Sequence, residues 1–158
     1  MTILRAFLTS DECERYVRLW ATIVAAGGGT LQRRSYRFEW IGSRPEVRAD
    51  PTYRRALAAL GYRGEVTDAF LAHYSHGQGV APHTDAHRLR RLNVLLVAPR
   101  AGGELTIDGE VAPLGVGDGV IFEPSRQMHS VSPVDGERLV WSVGLHRSMF
   151  SRPRPAVR

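Results

Sequence analysis

The segment Tyr74-Ser75-His76-Gly77-Gln78-Gly79-Val80-Ala81-Pro82-His83-Thr84-Asp85 gathers the residue types best suited to chemistry. In extended backbone, residues two apart point to the same side, so His83 and Asp85 can present an imidazole and a carboxylate to one ion. A third ligand is then wanted from a neighbouring strand. His129 is the candidate, 46 residues after His83 and at the start of a later β-like run. Two histidines and one carboxylate on one face leave three coordination positions open, which is how non-haem Fe(II) is held for oxygen chemistry. Nine residues after His129, Arg138 opens the apolar run Arg138-Leu139-Val140-Trp141-Ser142-Val143-Gly144. The same period of two sets Arg138, Val140 and Ser142 on one face, and an Arg aimed into a β core needs an anion. A dicarboxylate chelating the metal at one end would supply that anion at the other. The same ligand set can bind zinc for hydrolysis, but no spare general base is placed to serve it.

These residues need strands to carry them. From Val66 onward the chain breaks into short β-like runs with turn residues between them. The expected strands are Ala69 to Tyr74, Leu92 to Ala98, Glu104 to Ile107, Val111 to Leu114, Val120 to Phe122, His129 to Val131 and Arg138 to Leu145. Pro99 to Gly103, Asp108-Gly109, Gly115 to Gly119 and Asp135-Gly136 supply the breaks. Short strands at this spacing predict a mainly β fold, a jelly-roll (double-stranded β-helix) core with flanking helices. The preceding section predicts two helices. Thr9 or Ser10 can cap the first, whose Cys13, Tyr16, Val17, Trp20 and Val24 recur at helical spacing until Gly27-Gly28-Gly29. The second runs from about Pro51 to Leu60 and stops at Gly61, with a strand over Ser35 to Ile41 between the two.

The chain has 158 residues, 43% apolar and 23% charged, the profile of one globular domain. That domain is expected over 1–150, with a helical and lid section at 1–65, the jelly-roll core at 66–150 and a flexible tail at 151–158. A chain of this size folds without structural metal, so a metal would be there for chemistry. The single cysteine, Cys13, excludes an internal disulfide and any zinc site with several thiolates. It suits a reducing compartment, and with no signal segment and no apolar run of ~18 residues the expectation is a cytoplasmic protein without a membrane span. The net charge is +5 and every basic residue is Arg. Those charges are scattered, with short clusters at Arg33-Arg34, Arg54-Arg55 and Arg88 to Arg91, so a nucleic-acid partner is not expected.

In the order of its motifs the sequence resembles the Fe(II)- and 2-oxoglutarate-dependent oxygenases, specifically the prolyl 4-hydroxylase-like group and the small bacterial PKHD-type hydroxylases. The resemblance is carried by Tyr74-Ser75-x-Gly77-Gln78 before Pro82-His83-x-Asp85, by Gly102-Gly103-Glu104-Leu105, and by Gly117-Asp118 with a strand into Phe122. It ends on His129-Ser130-Val131-x-Pro133-Val134-x-Gly136-x-Arg138, and Phe7-Leu8-x-x-x-x-Cys13 is similar to the group's start. The resemblance implies that His83, Asp85 and His129 ligate Fe(II) and that Arg138 pairs with the distal carboxylate of the cosubstrate 2-oxoglutarate. Tyr74 would hydrogen-bond that cosubstrate and Ser142 would line its pocket. O2 would be the second cosubstrate, with succinate and CO2 as coproducts. Asp85 implies hydroxylation, because halogenating relatives carry a small residue there. One departure concerns the Tyr that many relatives have in the next strand. Its place falls on Val97 or Leu96 here, leaving Asn93 as the candidate second partner of the distal carboxylate.

The substrate implied is amino-acid-like: a free amino acid, a peptide residue or a small metabolite. The lid over it is expected from Arg33 to Trp40 and from a loop over Ala86 to Arg91. His87 continues the alternation from Asp85 and is expected behind the ligands or on the substrate side. His73, His76 and His146 read as surface or core histidines. Two alternatives use parts of the same site: an AlkB-type nucleic-acid demethylase and a non-catalytic jelly-roll protein that binds metal or 2-oxoglutarate. The demethylases usually carry a second Arg six residues after the first, where this chain has Gly144.

Overall fold

The computed structural model of the protein describes residues 1–32, 35–86 and 88–146. Its first section holds β1 (Thr2–Leu4), α1 (Ser10–Ala25), β2 (Thr30–Gln32), β3 (Tyr36–Trp40), α2 (Pro45–Ala49) and α3 (Pro51–Leu60). Strands follow: β4 (Val66–Tyr74), β5 (Val80–His83), β6 (Arg88–Val97), β7 (Ala101–Gly102), β8 (Leu105–Ile107) and β9 (Glu110–Val111). The chain continues through β10 (Gly119–Phe122), β11 (His129–Val131), β12 (Val134–Asp135) and β13 (Arg138–His146). A seven-stranded sheet in the order β1-β10-β6-β13-β4-β3-β2 faces a four-stranded sheet, β5-β11-β8-β9. Every pairing is antiparallel, and the two sheets form the jelly roll.

Two apolar layers hold this arrangement. On the outer face of the large sheet, Leu71, Leu92, Val94, Leu96, Leu139, Trp141 and Val143 pack with Tyr16, Trp20 and Leu60 from the helices. Between the sheets, Ala72, Tyr74, Val120 and Phe122 meet Leu105, Ile107 and Val131. β13 is therefore buried on both faces: its odd-numbered residues meet the helices, while Arg138, Val140 and Ser142 face the space between the sheets.

The helices begin and end where local chemistry requires. Thr9 caps α1, its hydroxyl accepting from the Glu12 N–H at 3.3 Å while the Glu12 carboxylate accepts from the Thr9 N–H at 2.9 Å. Asp50 caps α3 by accepting from the Thr52 N–H at 2.8 Å, and Gly61, in the left-handed region at φ 71°, ends it. α1 docks through Tyr16, which stacks on Trp141 at 4.5 Å and shares a buried 2.8 Å hydrogen bond with Thr52 of α3.

The differences from the sequence reading are local. α1 buries Ile23 where Val24 was expected; Val24 is exposed. The strand expected over Val111 to Leu114 is only the short β9. The runs β1, β2, β5, β7, β12 and α2 are too short for periodicity to reveal. Arg88 to Arg91, expected in a loop, open β6 instead, because that strand is half of the large sheet's centre despite its charges. Arg33, Arg34, His87, Arg147 and the tail 151–158 lie outside the described residues.

Candidate active site

β5 and β11 bring the two histidines together. His83, the last residue of β5, and His129, the first of β11, are direct cross-strand partners, and their rings lie 4.3 Å apart. Asp85 follows two residues after β5 ends and is fixed by its N–H donating to the Pro124 carbonyl at 2.8 Å. One Asp85 oxygen lies 3.5 Å from His83 Nε2, the other 3.9 Å from His129 Nε2. One ligand atom from each of the three residues falls within a 4.8 Å cluster.

The remaining ring nitrogens set the donor chemistry. His83 Nδ1 donates to the Ala81 carbonyl at 2.9 Å, and His129 Nδ1 to the Gln127 carbonyl at 3.1 Å. A carbonyl can only accept, so the proton of each neutral ring sits on Nδ1 and both Nε2 lone pairs face the cluster. Burial pushes the His129 imidazole below its usual range, which keeps it neutral. Two imidazole Nε2 atoms and one carboxylate fit Fe(II).

The ligands open onto a cavity of about 590 Å³ between the sheets, lined by Tyr74, Asn93, Arg138 and Ser142. That volume holds a five-carbon diacid together with a small substrate. Arg138 is 3% exposed, and its guanidinium lies 5.1 Å from the centre of the Tyr74 ring, the residue directly across the β4–β13 ladder. Burial lowers its pKa, and among the described residues no carboxylate pairs with it. Asp85 is the one described carboxylate that lines the cavity. A buried, unpaired cation beside a cavity fits the far carboxylate of 2-oxoglutarate. Burial outweighs the nearby Arg138 cation and pushes the Tyr74 hydroxyl up to about 12, so it remains a donor.

Ser142 and Asn93 stand farther along the sheet. They are cross-strand partners, four residues from Arg138, about 13 Å of strand. Asn93 is thus remote from the end that Arg138 occupies. Leu96 and Val97 are turned away as well: a register shift between Leu139 and Val140 makes a bulge at Leu96, and both side chains join the helix-side core. His73 stacks on Trp20, His76 pairs with Asp135, and His146 hydrogen-bonds Asp68, so none of them approaches the metal ligands.

Sequence reasoning missed a second buried arginine. Arg91, 3% exposed, donates to both carboxylate oxygens of Asp68 at 3.1 and 2.9 Å and to Ser142 Oγ at 2.7 Å. Burial would raise the Asp68 pKa, yet His146 and Arg91 outweigh it and hold the carboxyl at about 2. The signal was present in Arg91-Leu92-Asn93-Val94, where polar residues alternate with core residues. The guanidinium of Arg91 also fills the space beside Gly144: a Cβ there would lie 2.7 Å from Arg91 Nη2 and 2.6 Å from Asp68 Oδ1. A side chain at the position of a second demethylase-type Arg would have to displace the Arg91–Asp68 pair.

Residues 69–145, which contain His83, Asp85, His129, Arg138, Tyr74, Asn93 and Ser142, match the model of the 2OG-Fe(II) oxygenase superfamily. No curated protein matches the chain. Among solved structures, a prolyl-4-hydroxylase of Pseudomonas putida superposes with a TM-score of 0.74 at 19% identity, over 93% of this chain and 92% of that one. The viral collagen prolyl hydroxylase of Paramecium Bursaria Chlorella virus-1, in its 2OG complex, gives 0.70 at 20% identity, over 93% and 95%. A Trichoplax adhaerens prolyl hydroxylase, in complex with a peptide fragment of the hypoxia inducible factor oxygen degradation domain, gives 0.71 at 18%, over 92% and 82%. At these identities the likeness is one of fold, and the family match carries the assignment: residues 69–145 belong to the 2OG-Fe(II) oxygenase superfamily, whose members are non-haem iron dioxygenases that use Fe(II), 2-oxoglutarate and O2.

Proposed function

We propose that the protein hydroxylates a C–H bond of a small, amino-acid-like substrate, converting R–H, 2-oxoglutarate and O2 into R–OH, succinate and CO2. The observation that carries this reading is Arg138, a buried guanidinium without a carboxylate partner among the described residues, facing the same cavity as the His83, Asp85 and His129 cluster. His83 Nε2, His129 Nε2 and one Asp85 oxygen would hold the metal. Bound there, Fe(II) supplies the activation of O2 that organic side chains lack.

The chain's own part is to hold, orient and keep dry. Arg138 grips the distal carboxylate through its planar fork, and Tyr74 walls the guanidinium on one side. Phe122, edge-on to His129 at 5.1 Å, joins Leu105, Val131 and Val140 in excluding water around the ligands. Demethylase chemistry is disfavoured by Gly144, which stands where those families usually carry a second Arg.

The test is a succinate-release screen over free amino acids, short peptides and small acids, with mass spectrometry of each consumed substrate. The expected result is succinate formed in step with a product heavier by one oxygen. Succinate from a methylated oligonucleotide alone, or none from any substrate in metal-loaded, folded protein, would contradict it.

A further inference from the structure

We infer that the substrate carries a carboxylate and that Arg88 receives it. This rests on the oxygenase reading above and narrows its substrate class. Among the described residues three guanidiniums, those of Arg88, Arg91 and Arg138, line the cavity against the single carboxylate of Asp85. Arg91 is matched by Asp68 behind the wall. Fe(II) adds two positive charges and 2-oxoglutarate two negative ones, so loading leaves the excess unchanged. Arg138 takes the distal carboxylate, while Asp85 and the other carboxylate offset the ion. Arg88 remains. Its one ion pair among the described residues is with Asp85, at 3.4 Å, a carboxylate whose charge is already set against the ion. A partly buried cation facing the cavity, its one carboxylate neighbour among the described residues shared with the metal, favours an anionic occupant.

The backbone aims Arg88 into the cavity. β6 pairs with β13 as Leu145 with Arg90 and then His146 with Arg88, so Leu89 is the extra residue of a bulge. Without the bulge, Arg88 would share a face with Arg90, which points away and donates to the Leu60 carbonyl of α3. With it, Arg88, Arg91 and Asn93 face the cavity together.

Hydrogen-bond direction then fixes Asn93. Arg91 can only donate, so Ser142 Oγ accepts from it and passes its own hydrogen to Asn93 Oδ1 at 2.7 Å. The amide oxygen of Asn93 is occupied, and its Nδ2 hydrogens are presented to a ligand. The Arg88 guanidinium, with Tyr36 and Phe70 as aromatic walls of the same cavity, makes a receptor for a carboxylate apart from the one Arg138 holds, and the Asn93 amide lines the space between the two arginines.

The probes are acetate, propionate and butyrate with their matching amides, titrated into the anaerobic Fe(II) and 2-oxoglutarate complex and followed by its visible absorbance. A saturable change with at least one carboxylate and none with its amide is expected. Arg88→Met weakens that response on the order of tenfold or more, Arg88→Lys restores part of it, and the Kd for 2-oxoglutarate from thermal shift stays within about threefold. The inference is overturned if the carboxylates give no saturable change, if the amides match them, or if the response survives in Arg88→Met as direct metal ligation would. Absence of the absorbance band itself overturns the oxygenase reading, and this inference with it.

Discussion

His83 and His129 face each other across the β5–β11 ladder, and each ties its Nδ1 to the carbonyl of the residue two positions before it. The same local device, used twice, orients both Nε2 atoms before any metal arrives. A preformed site of this kind stabilises the fold when filled, because the unfolded chain lacks it. With Fe(II) at a hundred times its Kd, about 2.7 kcal/mol of stabilisation and a Tm rise of about 5–10 °C are expected under anaerobic conditions. Chelator reverses the rise and Asp85→Ala abolishes it; an equal rise in Asp85→Ala would show metal binding elsewhere.

Arg138→Met separates stability from ligand binding. Removing a buried, unpaired cation leaves the fold without cosubstrate as stable as before, or more so, whereas affinity for 2-oxoglutarate falls on the order of a hundredfold. Thermal melts with and without 2-oxoglutarate read both quantities. A variant that still melts higher with 2-oxoglutarate would move the distal carboxylate to another partner.

Gly103 supports Arg138 from below. It lies in the left-handed region at φ +67°, and a Cβ there would stand 3.0 Å from Arg138 Cδ and 3.0 Å from Pro99 Cγ. Gly103→Ala is expected to cost about 1–2 kcal/mol of stability and also to weaken 2-oxoglutarate about tenfold. Gly109, at φ +84° with nothing within 4 Å of its Cβ, is the control, where alanine costs stability alone. Equal cosubstrate affinity in the two variants would show that the Gly103 contact does not position Arg138.

Asp68 gives the fold an acid dependence of definite sign. Its folded carboxyl titrates at about 2, below the ordinary 3.8, so its stabilisation is complete above about pH 4 and is lost as pH falls through about 2. The contribution is on the order of 2 kcal/mol. Asp68→Asn should therefore be less stable than the parent at pH 7 by that amount or more, since Arg91 loses its partner, with the gap closing toward pH 2. A gap that does not change with pH would mean that packing, not charge, is what the substitution removes.

The metal cluster was legible because two of its ligands share one short run and the third opens a strand with a clear turn before it. Arg138 was legible for a similar reason: Leu139, Trp141 and Val143 mark one face of β13, and Arg138 must take the other. What escaped depends on pairings distant in sequence. The bulges at Leu89 and Leu96 of β6 reverse the alternation at its ends, sending Arg88 inward and Val97 outward, and no local pattern announces them. The union of Asp68 with Arg91 joins β4 to β6, two strands that are not hydrogen-bonded to each other, past the open side of Gly144 between them. A charged run such as Arg88 to Arg91 therefore reads as solvated loop until its partner across the sheet is known.

The most direct test of the whole account is anaerobic absorbance spectroscopy of the protein mixed with Fe(II) and 2-oxoglutarate. The parent protein is expected to give the weak visible charge-transfer band of the chelate, with none from His83→Ala or His129→Ala, and with far more 2-oxoglutarate needed for Arg138→Ala. A parent protein that is folded and binds metal yet shows no band, or a His129→Ala variant that keeps it, would contradict the assignment of these residues.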